Sequence, residues 1–84
     1  MLAHAANRET TVFKRSVVIG NKNTSLSLED VFWDALKNMT QKRGMTISDF
    51  VAEIDARRNA GSLSSAVRVY LFKLYRDEML RLAQ

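Results

Sequence analysis

The feature that most constrains this chain is a five-residue stretch, Thr24-Ser25-Leu26-Ser27-Leu28, that runs directly into a helical pattern. Polar and apolar residues alternate along it, so as a strand it puts Leu26 and Leu28 on one face and Ser25 and Ser27 on the other. A single short strand leaves a row of backbone N–H and C=O groups that must find partners. Two solutions are open. The stretch pairs with another strand of its own chain, or with its copy in a second subunit, or with both. Upstream, Val12, Phe13, Val17, Val18 and Ile19 form a β-branched and aromatic run that suits a pleated surface. Gly20-Asn21-Lys22-Asn23 between the two runs reads as a turn.

Three helices follow in the pattern. Glu29 and Asp30 place acid in the first turn of the first helix, where the helix dipole favours it. Phe32, Leu36 and Met39 recur at helical spacing with Ala35 beside them. Lys42 and Arg43 close that helix and Gly44 stops it. Thr46-Ile47-Ser48-Asp49 reads as a capping box for a second helix whose stripe is Ile47, Phe50, Val51 and Ile54. Asn59-Ala60-Gly61 ends it. Ser62 or Ser64 caps a third helix carrying Leu63, Val67, Tyr70, Leu71, Leu74, Tyr75, Met79 and Leu80. The expected fold class is mainly α with a short β-ribbon. Residues 1–11 show no period and are expected to be a mobile arm, and residues 12–84 a single domain.

Composition narrows the chemistry. The 84 residues include no cysteine, and His4, in the arm, is the lone histidine. That excludes disulfides, thiolate metal sites and His-rich metal sites. No nucleophile–base pair stands out, so an enzyme is not expected, nor is a cofactor or a metal. No apolar run approaches the length of a membrane span, and no secretory signal opens the chain, so a cytoplasmic protein is expected. The 13 Lys and Arg against 9 Asp and Glu give a net charge of +4. Arg8, Lys14, Arg15 and Lys22 against Glu9 place 4 − 1 = +3 of that within residues 1–28. An anionic partner is expected there.

Strand, acidic-started helix, glycine, then a Thr-capped helix together resemble a ribbon-helix-helix protein. The carrying residues are Thr24-Ser25-Leu26-Ser27-Leu28-Glu29, Phe32-Trp33-Asp34-Ala35-Leu36 and Arg43-Gly44-Met45-Thr46-Ile47-Ser48. A bacterial subfamily with Lys14-Arg15-Ser16-Val17 upstream and Leu63-Ser64-Ser65-Ala66 downstream is a closer likeness. The resemblance implies an intertwined homodimer with an additional N-terminal strand and a C-terminal third helix. It implies that two strands, one per subunit, form an antiparallel ribbon that enters the DNA major groove. Asn23, Ser25 and Ser27 are then the outward, base-contacting positions. Leu26, Leu28, Phe32, Leu36, Phe50, Val51 and Ile54 are expected in the dimer core.

A major groove about 12 Å wide admits a two-stranded ribbon, and Asn can read adenine bidentately, while Ser is short and discriminates weakly. Otherwise these are solvated positions of an edge strand. Lys14, Arg15 and Lys22 are the cations placed to meet phosphate, unless they serve only as surface charge. If residues 14–19 form a hairpin with the ribbon strand, one of these three is placed to read bases. Thr46, Ile47 and Ser48 at the second helix start offer a phosphate site, since free amides gather there. Trp33, Tyr70 and Tyr75 are read as packing or dimer contacts. Arg57 and Arg58 are read as a solvated helix end, with a second phosphate patch as the alternative. The function so implied is a sequence-specific transcriptional regulator of repressor type. The alternatives are an antitoxin, or a protein-interaction module that uses the same dimer without DNA. The third helix would enlarge the dimer interface or bind a protein partner.

Overall fold

The computed structural model describes residues 10–84. The expected arm over residues 1–11, with His4, therefore lies largely outside the described residues. Two antiparallel strands, β1 (Val12–Ile19) and β2 (Lys22–Glu29), form a hairpin. Three helices follow: α1 (Asp30–Arg43), α2 (Ile47–Arg57) and α3 (Leu63–Leu82).

The ribbon's two strands thus come from one chain, and the turn is tighter than the sequence suggested. Gly20 and Asn21 alone make it, while Lys22 and Asn23, expected in the turn, are strand residues. The reason is local. Gly20 adopts φ 62°, the positive value that a primed two-residue hairpin turn requires. That turn sets the register Val17 to Thr24, Ser16 to Ser25 and Lys14 to Ser27, and pairing carries Lys22 and Asn23 into the ladder despite their weak strand preference. Glu29, expected in the first helical turn, is instead the last residue of β2 and the N-cap position, and its side chain makes no cap hydrogen bond.

The hairpin's inner face carries Phe13, Val17, Leu26 and Leu28 onto the helices. Val17, Leu26 and Leu28 are buried there with Leu36, Phe50, Val51, Ile54, Val67 and Leu71. Helix signals hold where the chemistry is local. Gly44 caps α1 at φ 64°. Thr46 Oγ1 accepts the Asp49 amide at 3.0 Å, and Ser62 Oγ accepts the Ser65 amide at 3.1 Å. Of the two candidate caps of α3 it is therefore Ser62 that serves.

The α1 stripe holds at Leu36 and Met39, but its first position moves by one residue. Trp33, expected to flank it, is buried at 3% exposure, and Phe32 is half-buried at its margin. The Phe13 carbonyl of β1 supplies the partner that indole needs: Trp33 Nε1 donates to it at 3.1 Å. Leu26, Leu28, Leu36, Phe50, Val51 and Ile54, expected in a dimer core, are buried by this chain's own elements.

α3 completes the core with Leu63, Val67 and Leu71. It is also bolted to β2 by polar groups. Ser64 Oγ accepts the Ser27 amide at 2.9 Å, and Arg68 Nη2 donates to the Ser27 carbonyl at 3.0 Å. Arg68 Nε also donates to Glu29 Oε1 at 2.9 Å. Both Ser27 backbone groups therefore point away from β1. Antiparallel alternation then turns those of Ser25 and Asn23 away too, and on β1 those of Lys14, Ser16 and Val18.

Candidate nucleic-acid interface

Two rows of side chains leave the hairpin's outer face. From β2 these are Asn23, Ser25 and Ser27, followed by Glu29; from β1 they are Val12, Lys14, Ser16 and Val18. Asn23, Ser25, Lys14, Ser16 and Val18 are exposed, and Ser27 is half-buried beside α3. The alternation expected for Asn23, Ser25 and Ser27 is therefore what the pleat delivers. Ser27 is the most encumbered of the three, because its backbone is held by Ser64 and Arg68.

The three upstream cations separate. Lys14 stands on the outer face opposite Ser27. Arg15 shares the face of its partner Leu26 and reaches round so that its guanidinium lies 4.8 Å from the centre of the Trp33 ring. Lys22 sits at the hairpin tip beside the turn.

At the start of α2, the Thr46 hydroxyl takes the Asp49 amide and its carbonyl takes the Phe50 amide. Ile47 and Ser48 are the first two helical residues, so their amides have no acceptor within the helix. Ile47 and Ser48 line one groove of about 300 Å³ with Arg15, Ser16, Val17, Val18 and Trp33. The fold thus brings Arg15 to the α2 start, two features 32 residues apart (47 − 15) in the sequence.

The remaining candidates have local duties. Arg57 donates to the Tyr70 hydroxyl at 3.1 Å, and Tyr70 packs its ring 5.8 Å from Phe50. Arg58 pairs with Asp55 at 2.6 Å and donates to the Gly61 carbonyl at 2.8 Å. These two arginines tie down the end of α2. The Tyr75 hydroxyl donates to the Ala35 carbonyl at 3.2 Å.

Ser64 and Arg68 are the positioning residues that sequence reasoning missed. Ser64 reads in the sequence as a candidate helix cap and serves instead as the acceptor of the Ser27 amide, and Arg68 has the pattern of an ordinary helix cation. Glu29, the partner of Arg68, offers the one signal, an acid at the strand end. Arg68 holds the Glu29 carboxyl below its ordinary value, first through the hydrogen bond and then through its charge. The one acid in the outer row thus stays ionised, with its charge balanced by Arg68.

No helix among the described residues is long and apolar enough to cross a membrane. Among them, no group of three or more His, Cys, Asp or Glu is placed to hold a metal ion.

No curated protein matches the chain. Among solved structures, an uncharacterized protein from Bordetella pertussis Tohama I is similar over 86% of this chain, with a TM-score of 0.66 and 26% identity. The chain spans 63% of that protein's length. The family model of the ribbon-helix-helix domain matches residues 12–75, which takes in the hairpin, α1, α2 and most of α3. Domains of this family are typically DNA-binding regulators or antitoxins, and they typically bind DNA as dimers. With three quarters of its length matched, this chain belongs to the ribbon-helix-helix domain family.

Proposed function

We propose that the protein is a sequence-specific, DNA-binding transcriptional regulator of repressor type that acts as a homodimer. Residues 12–84 serve as one ribbon-helix-helix domain, and the hairpin enters the major groove. The observation that carries this reading is the exposed outer face of a two-stranded ribbon that bears Asn23, Ser25 and Lys14 and no unpaired acid. Strands about 4.8 Å apart make a ribbon narrow enough for a groove about 12 Å wide. Asn23, Ser25 and Ser27 contact base edges. Lys14, Arg15 and Lys22 supply positive charge, and the amides of Ile47 and Ser48, with Thr46, take a phosphate beside the groove.

The dimer contact falls on α3. Phe72, Tyr75, Met79 and Leu82 follow a three-four-three spacing, and Phe72, Met79 and Leu82 are 63%, 71% and 73% exposed. The same stripe favours a second reading, a protein-interaction module that binds no DNA. A salt series of duplex binding separates the two. Phosphate-driven affinity falls steeply as salt rises. Absence of duplex binding even at low salt would leave the second reading. Light scattering on the wild type and on Phe72→Ser reads the dimer: the reading expects a dimer for the first and a monomer for the second.

A further inference from the structure

The proposed function assigns base recognition to β2 and positive charge to Lys14, Arg15 and Lys22, although a hairpin places one of these three to read bases. The hairpin changes that division. Lys14 faces Ser27, Ser16 faces Ser25 and Val18 faces Asn23, all on the outer side of the pleat. Each β1 residue of these pairs is exposed, Val18 at 48%. A ribbon laid in a groove with β2 facing the bases therefore lays β1 there as well.

In the outer row of β2 only Asn23, next to the hairpin tip, is built to read a base bidentately. Ser25 and Ser27 are short, and Ser27 is half-buried against α3. The cations are not equivalent either. Arg15 shares the face of Leu26 and is drawn to Trp33, and Lys22 sits at the tip, so both lie where the groove walls carry phosphate. Lys14 alone among the three rises from the outer face. Lys14 and Ser27 are a non-hydrogen-bonded pair, whose Cβ atoms lie about 5 Å apart, so the lysine stem stands beside the short serine instead of being blocked by it.

We propose that β1 is a second reading strand, in which Lys14 donates to guanine O6 and N7 instead of to phosphate, and Val18 lies against a thymine methyl. The proposal rests on the DNA-binding reading above. It predicts that the recognition sequence carries a G·C pair whose identity depends on Lys14.

Binding-site selection from random duplexes gives the preferred sequence, on which Lys14→Met and Lys22→Met are then compared with the wild type. Both residues are exposed, and thermal melts check that both variants fold. Lys14→Met should cut discrimination at one G·C position by about tenfold or more. Lys22→Met should weaken all duplexes alike and lower the salt slope by about one. If Lys14→Met behaves as Lys22→Met does, Lys14 is a phosphate contact and the inference is overturned while DNA binding stands. Wild-type binding with no sequence preference overturns the inference in the same way. No duplex binding by the wild type removes the functional reading itself.

Discussion

Replacing Arg68 by Ala tests how the hairpin is held to the helices. Arg68 is the half-buried clasp between α3 and β2, with its side chain 28% exposed and that of Glu29 25% exposed. It loses two bonds at once: the 3.0 Å donation to the Ser27 carbonyl and the 2.9 Å ion pair with Glu29. A hydrogen bond from a charged donor is worth roughly 1.5 kcal/mol at such a partly exposed site, the low end of its range, and a partly exposed ion pair about 0.5–1 kcal/mol after solvent screening. The expected loss is about 2 kcal/mol, which for a domain of this size lowers Tm by roughly 10 °C. The pH dependence divides the two contributions. The folded state holds the Glu29 carboxyl below its ordinary value of 4.5. Its share of stability is therefore complete above the unfolded value and is lost as pH falls through the lowered folded value. Melts followed by circular dichroism at pH 7 and at about pH 3 should show the gap between wild type and variant narrowing in acid without closing, because the Ser27 bond remains. A double-mutant cycle with Glu29→Gln should return a coupling of about 0.5–1 kcal/mol. An unchanged Tm would refute the clasp, and a gap equally wide at both pH values would refute the ionic part of it.

Two further perturbations probe the ribbon. Gly20→Ala meets no atom within 4 Å of the added Cβ, so its cost comes from the positive φ alone. Chemical denaturation should show a loss of about 1 kcal/mol, and no loss would mean that the turn does not depend on that backbone conformation. Trp33→Phe removes the donor to the Phe13 carbonyl and the indole face beneath Arg15. A loss of roughly 1–2 kcal/mol is expected in the same assay, whereas a change within a few tenths would count against the indole as the link between β1 and α1.

What could be read in advance was what depends on near neighbours. Gly44 and Thr46 fix the boundary between α1 and α2 because their stop and cap involve residues at most four away. The alternation of Leu26 and Leu28 with Ser25 and Ser27 likewise needs no partner to be seen. The choice of Trp33 over Phe32 depended on Phe13, which lies 20 residues earlier. Helical periodicity alone puts Phe32 on the stripe and Trp33 beside it, and the strand that arrives decides between them. Composition alone assigns Lys22 and Asn23 to a turn, and pairing with Ile19 and Val18 pulls them into β2. For the candidate site, the outward positions of β2 were legible. The clasp of Ser64 and Arg68 was not, because it joins residues 37 and more positions apart and carries no local pattern. The meeting of Arg15 with the α2 start was hidden for the same reason.

The clasp also bears on self-association. An unpaired strand edge is a template on which another chain can add, and the aggregation hazard grows with its length. Ser64 and Arg68 consume the backbone groups of Ser27, which shortens the free stretch of β2 to the region near Asn23 and Ser25. Among the described residues the long open edge is then that of β1. Along it stand Lys14 and Arg15, with Lys22 at its tip, and lysine on an edge is the usual deterrent to strand addition. The same cations that the proposed function turns toward a polyanion would also keep identical hairpins from stacking edge to edge while none is bound.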